Sequence, residues 1–200
     1  MSQLHAFVSE YSARDQPWRY LFQTTDVIMG TLLCLAGLAT LVWARHRPLG
    51  RQGWSGVGFV AGGFFSVLDA LVTMDCSPTR SQACMAAEEA GHVSVNHVVH
   101  VGTSTIVVVG FALPILLLNS TMTRFRGFGL VVTWAWVVFT LLNGIGAVGW
   151  FVGTPMDYTG IWQRFSLGLG TLWWLILAAD DIVTARVQDR ALLLSSLTRS

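Results

Sequence analysis

Five apolar runs, each long enough to cross a bilayer, constrain this chain more than any other feature. An α-helix rises about 1.5 Å per residue, so about 20 apolar residues carry it through the hydrocarbon layer. The runs fall at 26–44, 54–74, 93–118, 128–151 and 161–183. Each is much longer than a barrel strand and lacks strict alternation, so helices are the form that satisfies every backbone group within lipid. With 53% hydrophobic and 12% charged residues, the 200-residue chain cannot clothe a soluble globule or persist as a disordered tail. Twelve basic against eleven acidic side chains leave no field for nucleic acid. The expected fold class is all-α, a polytopic transmembrane helix bundle of about five spans.

Charge placement sets the expected orientation. Arg45, Arg47 and Arg51 follow the first run, Arg124 and Arg126 follow the third, and Arg186, Arg190 and Arg199 follow the fifth. The alternate connections hold Arg80 and, at the start of the fifth run, Arg164. By the positive-inside rule the arginine-rich side is cytoplasmic, the N-terminus is outside, and the protein resides in the cell (inner) membrane. The chain then divides into an external interfacial segment 1–25, a bundle 26–183 with an external loop 75–92, and a cytoplasmic amphipathic tail 184–200. Trp18, Tyr20 and Phe22 suit a segment lying along the bilayer surface, and nothing in it reads as a cleavable signal. In the tail, Leu192, Leu193, Leu194 and Leu197 suit the inner surface. Glycine-rich stretches at 56–63 and 144–149 point to closely approaching helices.

Of the three cysteines, Cys34 falls inside the first run, where it behaves as a small hydrophobe. Cys76 and Cys84 share the external loop, and an oxidising exterior favours a disulfide between them. Two free thiols or a transient metal-ligand pair are the other arrangements. A bridge this short stabilises its loop by roughly 2–3 kcal/mol on the chain-entropy model.

Ionisable groups within spans are costly, which makes their positions informative. Asp69 lies five residues inside the end of the second run, about 7–8 Å deep. His97 and His100 descend from the outer end of the third run, on one helix face by their spacing of three, and Ser104 continues that stripe. Asn143 comes from the fourth run, and Trp162, Gln163 and Arg164 open the fifth. Four runs thus bring polar groups to the outer half, which predicts an outward-facing pocket with Asp69, Asn143 and Arg164 as ligand contacts. Asp75, Glu88, Glu89 and His92 are placed to form its lid or mouth.

Three readings of this constellation stand side by side. His97 and His100 with Asp69 or Asp75 have the residue types of a zinc site with an open water position, able to hydrolyse a lipid ester or amide from the outer leaflet. Alternatively, Asp69 with His97 or His100 is a buried pair joining two helices in a non-catalytic subunit or assembly factor. The third reading is proton or small-solute passage, because intramembrane Asp and His also build relays. Arg164 suits an anionic headgroup or a pairing with Asp157, while Asp180 and Asp181 are expected to reach water and pair with Arg186. The bilayer, an outer-leaflet lipid or small molecule, and other copies or subunits of a membrane complex are the expected partners; nucleic acid is not.

These same residues carry a family resemblance. Leu68, Asp69 and Ala70, then Met74 through Pro78, Cys84, the Gly91-His92-Val93-Ser94 stretch and the His97/His100 pair resemble the central region of the prokaryotic membrane family called domain of unknown function 998 (DUF998). Gly160 through Arg164 resembles that family's last helix, and Val8 through Tyr11 its first external segment. The resemblance implies a six-span bundle, with a further span preceding that segment, and implies no particular reaction.

Overall fold

The computed structural model describes residues 4–45, 50–151 and 158–197. Among them the regular structure is helical: α1 (Arg19–Ala44), α2 (Arg51–Leu71), α3 (Gln82–Glu89), α4 (Val95–Leu118), α5 (Arg126–Phe151) and α6 (Thr159–Leu197), with a 3-10 turn at Ser9–Ser12. All but α3 are long and apolar enough to cross a membrane. The chain is a multi-pass membrane protein. One end of the bundle carries the α2–α4 connection and the N-terminal segment, and is called the disulfide end below. The other, the arginine end, carries Arg45, Arg51, Arg124 and Arg126.

Helices α1, α2 and α4 meet backbone to backbone. Successive residues of a helix turn by about 100°, so Gly56 and Gly63 share one face of α2 while Gly58 and Gly62 lie on roughly the opposite one. A Cβ added at Gly63 would stand 2.5 Å from the Gly30 carbonyl oxygen of α1, and one at Gly58 would stand 2.8 Å from the Gly110 carbonyl oxygen of α4. Lipid offers no hydrophobic drive for helix association, so the closeness that these missing side chains permit is what holds the layer together. Helices α5 and α6 pack differently, through large side chains. Phe139 stacks on Phe165 with ring centroids 4.8 Å apart. Buried Trp136 and Trp173 form a core with Ile115, Val132 and Ile176 that ties α4 to this pair. Leu32, Leu35, Val131, Leu141 and Leu175 face outward, as lipid-facing positions should.

Three elements differ from the expected boundaries. Helix α1 begins at Arg19, seven residues before the apolar run, because the polar turns at its start lie beyond the hydrocarbon stretch and still close helical hydrogen bonds. The α2–α4 connection contains α3, capped by the Ser81 hydroxyl accepting from Cys84 N at 3.2 Å and ended at Gly91, whose φ is +69°. Helix α6 runs unbroken to Leu197, so the expected tail continues the last span. Arg47, Asp157 and Arg199, with the side chains of Arg190 and the four tail leucines, lie outside the described residues.

Candidate functional site

The N-terminal segment is drawn onto the α2–α4 connection. Glu10 is buried, and its carboxylate accepts from the Ser77 hydroxyl, from the Thr79 hydroxyl at 2.5 Å and from Phe7 N at 3.3 Å. Burial raises the Glu10 pKa above the ordinary glutamate value even though these hydrogen bonds pull the other way. Arg14 N donates to the Met74 carbonyl at 3.0 Å and Ser77 N to Asp15 at 3.2 Å. A disulfide joins Cys76 to Cys84, with Cα atoms 6.0 Å apart, as the loop placement led one to expect. Arg164 reaches up from α6 to the Ala6 carbonyl at 3.0 Å and the Tyr11 hydroxyl at 3.3 Å. Residues expected to lie along the bilayer therefore form a cap over the bundle, while Trp18 and Tyr20 stay exposed beside it.

Beneath the cap, the four residues expected as metal ligands fall into two pairs. Asp75 accepts from Ser94 N at 2.6 Å and Ser94 Oγ at 2.8 Å, and its own N–H donates to His97 Nδ1 at 3.3 Å. Burial pushes the Asp75 pKa up, but the Ser94 hydrogen bonds and the neighbouring Arg14 and His97 outweigh it and hold the carboxyl below its ordinary value. His97 Nε2 points toward Glu88, 3.8 Å from Oε1 and beyond hydrogen-bond reach. The second pair bridges α2 and α4. His100 Nδ1 faces the Asp69 carboxylate at 3.2 Å and the Asp69 and Val72 carbonyls at 3.1 and 2.9 Å. Asp69 also accepts from Ser104 Oγ at 3.0 Å and from the Thr103 hydroxyl. Among the described residues, no three His, Cys, Asp or Glu side chains stand where one metal ion could touch them all.

The His100 contacts fix its ring. All three neighbours of Nδ1 are acceptor oxygens, so Nδ1 carries the proton and, in the neutral imidazole, Nε2 is the acceptor. His100 is almost wholly buried, and Nε2 has no partner among the described residues. The residue lines a cavity of about 270 Å³ between α4 and the α5–α6 pair, at the disulfide end. Val101, Val108 and Val109 of α4 and Ala147 of α5 give it apolar walls, Asn143 and Gln163 add amides, and Glu10 and Glu88 lie at the cap. Asn143 Oδ1 and Glu88 Oε2 also lack partners. Gln163 Oε1 accepts from Val8 N, fastening the cap to α6. Asp69 stands behind His100 as its hydrogen-bond partner, and Arg164 holds the cap. Glu89 and His92 are exposed, away from the cavity.

Sequence reasoning missed three participants. Thr103 lies three residues after His100 on the same helix face, and that spacing could have found it. Glu10, an isolated acid among Phe7, Val8 and Tyr11, carried a weaker signal. Asp26, at the α1 edge of the cluster, lies within electrostatic reach of Asp69 and His100, which only the packing of α1 reveals. At the arginine end, Asp180 departs from the expected pairing with Arg186. It is buried, and it accepts from Thr123 N, Arg124 N and Phe125 N at 2.9, 2.6 and 2.8 Å. The reason is that the backbone donors ahead of α5 have no helical partner and a carboxylate satisfies them.

No curated protein and no solved structure matches the chain. The family model described as protein of unknown function (DUF998) matches residues 1–180. With nine-tenths of its length covered by that match, the chain belongs to the DUF998 family.

Proposed function

We propose that this protein binds a small amphiphilic, lipid-like molecule in the cavity beneath the disulfide-bonded cap, on the outer face of the cell membrane. The observation that carries the reading is His100, a buried residue that lines a largely apolar cavity and whose Nε2 has no partner among the described residues. An unpaired buried polar group costs about 1–3 kcal/mol, a cost that a ligand bearing the complementary group would remove. Polar groups at one end and valines along the wall suit a molecule with a polar head and a hydrocarbon body. The outer placement rests on the arginine distribution.

Asp69 has a different part in this reading. Its contacts to His100, Thr103 and Ser104 join α2 to α4, so the carboxylate orients the histidine and stays out of the cavity lining. The helix-joining role considered from sequence is thus retained for one edge of the cluster, and ligand contact is assigned to the other.

Filling the cavity tests the reading. Ala147→Phe places a ring in the wall, and mass spectrometry of extracts from purified protein then compares bound small molecules. The expected result is one amphiphile near stoichiometric amounts in the parent protein and depleted in the variant, with thermal stability retained. Identical extracts at equal stability would defeat it.

A further inference from the structure

We propose that the ligand of this cavity carries a protonated amine head on an apolar chain, an assignment that rests on the cavity reading above and specifies its chemistry. Three residues that line the cavity each carry a buried polar atom without a partner among the described residues: Glu88 Oε2, His100 Nε2 and Asn143 Oδ1. Each accepts hydrogen bonds. Glu88 bears a carboxylate, the neutral His100 ring presents Nε2 as an acceptor because Nδ1 faces three oxygens, and the unpartnered Asn143 atom is its amide oxygen. Glu10 adds a second acid at the same end, and no basic side chain other than His100 is among the lining residues.

The nearby arginines are engaged with the cap. Arg14 lies 3.4 Å from Asp75, and Arg164 donates to the Ala6 and Gly160 carbonyls. A phosphate or carboxylate head would therefore meet acceptors and negative charge, leaving every unpaired atom unsatisfied. An alkyl alcohol brings one donor and no charge. An ammonium brings three donors and the charge that a part-buried carboxylate lacks, and charge-assisted hydrogen bonds are the stronger kind. The valine wall below the polar end receives the chain.

The experiment uses the full chain in nanodiscs of zwitterionic lipid, titrated with decylamine, decanol and decanoate against empty discs. Decylamine is expected to bind saturably, at least about tenfold more tightly than either other probe, the scale of one charge-assisted contact. Glu88→Gln and, separately, Asn143→Leu are expected to weaken decylamine by about tenfold while decanol changes little. The second variant lies within α5, so it keeps the test open should Glu88→Gln unsettle the cap. Decanol or decanoate binding as tightly as decylamine, or decylamine indifferent to both substitutions, would overturn the amine assignment and leave the cavity reading standing. Absence of saturable binding for all three probes would overturn the amine assignment as well; if the Ala147→Phe extracts also match those of the parent, the cavity reading falls with it.

Discussion

Two buried polar side chains at opposite ends of the bundle, Asp180 and His100, are used in different ways. At the arginine end, both Asp180 oxygens are taken up by the backbone donors of residues 123–125 and by the Thr123 hydroxyl. At the disulfide end, His100 is equally buried and lines a cavity, yet one ring nitrogen is held by three oxygens while the other has no partner among the described residues. A fully used polar group reads as architecture. A half-used one, placed where space remains, reads as a site. The same distinction separates Asp69, consumed by its neighbours, from Asn143, whose carbonyl oxygen is not.

Substitutions should separate the two ends. Asp180→Ala strips the partner from three backbone N–H groups and is expected to cost about 3 kcal/mol or more, read as a lowered unfolding temperature in detergent. A loss near zero would remove the contrast. Replacing Cys76 and Cys84 together by Ser should loosen the cap by roughly 2–3 kcal/mol, read as faster proteolysis of the α2–α4 connection. Gly110→Ala drives a Cβ to 2.5 Å from Gly62 N and should cost about 2 kcal/mol. Gly102→Ala on the same helix meets nothing within 4 Å and should be neutral or stabilising by up to about 1 kcal/mol, which makes it the control for thermal unfolding.

Asn143→Leu sharpens the comparison most directly, although its expected effect on stability is small. Removing a polar atom that has no partner should change stability by less than about 1 kcal/mol, in either direction, while decylamine binding weakens by about tenfold. Destabilisation on the scale of Asp180→Ala would place the cavity with the architecture.

The subtlest effect is on pH. Glu10, with a raised pKa, contributes to cap docking fully below the ordinary glutamate value and loses that contribution as pH rises through its folded pKa. Asp75, with a lowered pKa, contributes above the ordinary aspartate value and loses it as pH falls through its folded pKa. Amide exchange of the N-terminal segment, corrected for intrinsic rates, should therefore slow on acidification from neutral pH and quicken again only in strong acid. A flat profile would contradict both assignments.

The five spans, the cap cysteines and the common level of Asp69, His97 and His100 were legible in the sequence. Each depends on local quantities: apolar run length, loop membership and residue count from a helix end. Helix α3 was not legible, because its eight residues are too few to show a period. The Asp180 contacts were equally hidden, since the donors lie more than fifty residues away along the chain. Likewise, residue spacing put both histidines near one face but could not tell that His97 would meet Asp75 and His100 would meet Asp69.

The sequence by itself determined that this is a multi-pass helical bundle with polar groups gathered toward one end, because lipid demands continuous apolar helices and penalises every exception. Tertiary structure alone decided which polar atoms are spent and which are left over. Glycine contacts bring α1, α2 and α4 to near backbone distance, whereas bulky side chains hold α5 and α6 together and tie them to α4 toward the arginine end. The space between the two groups at the disulfide end is the cavity that His100 and Asn143 line, each with a buried polar atom left unpartnered among the described residues.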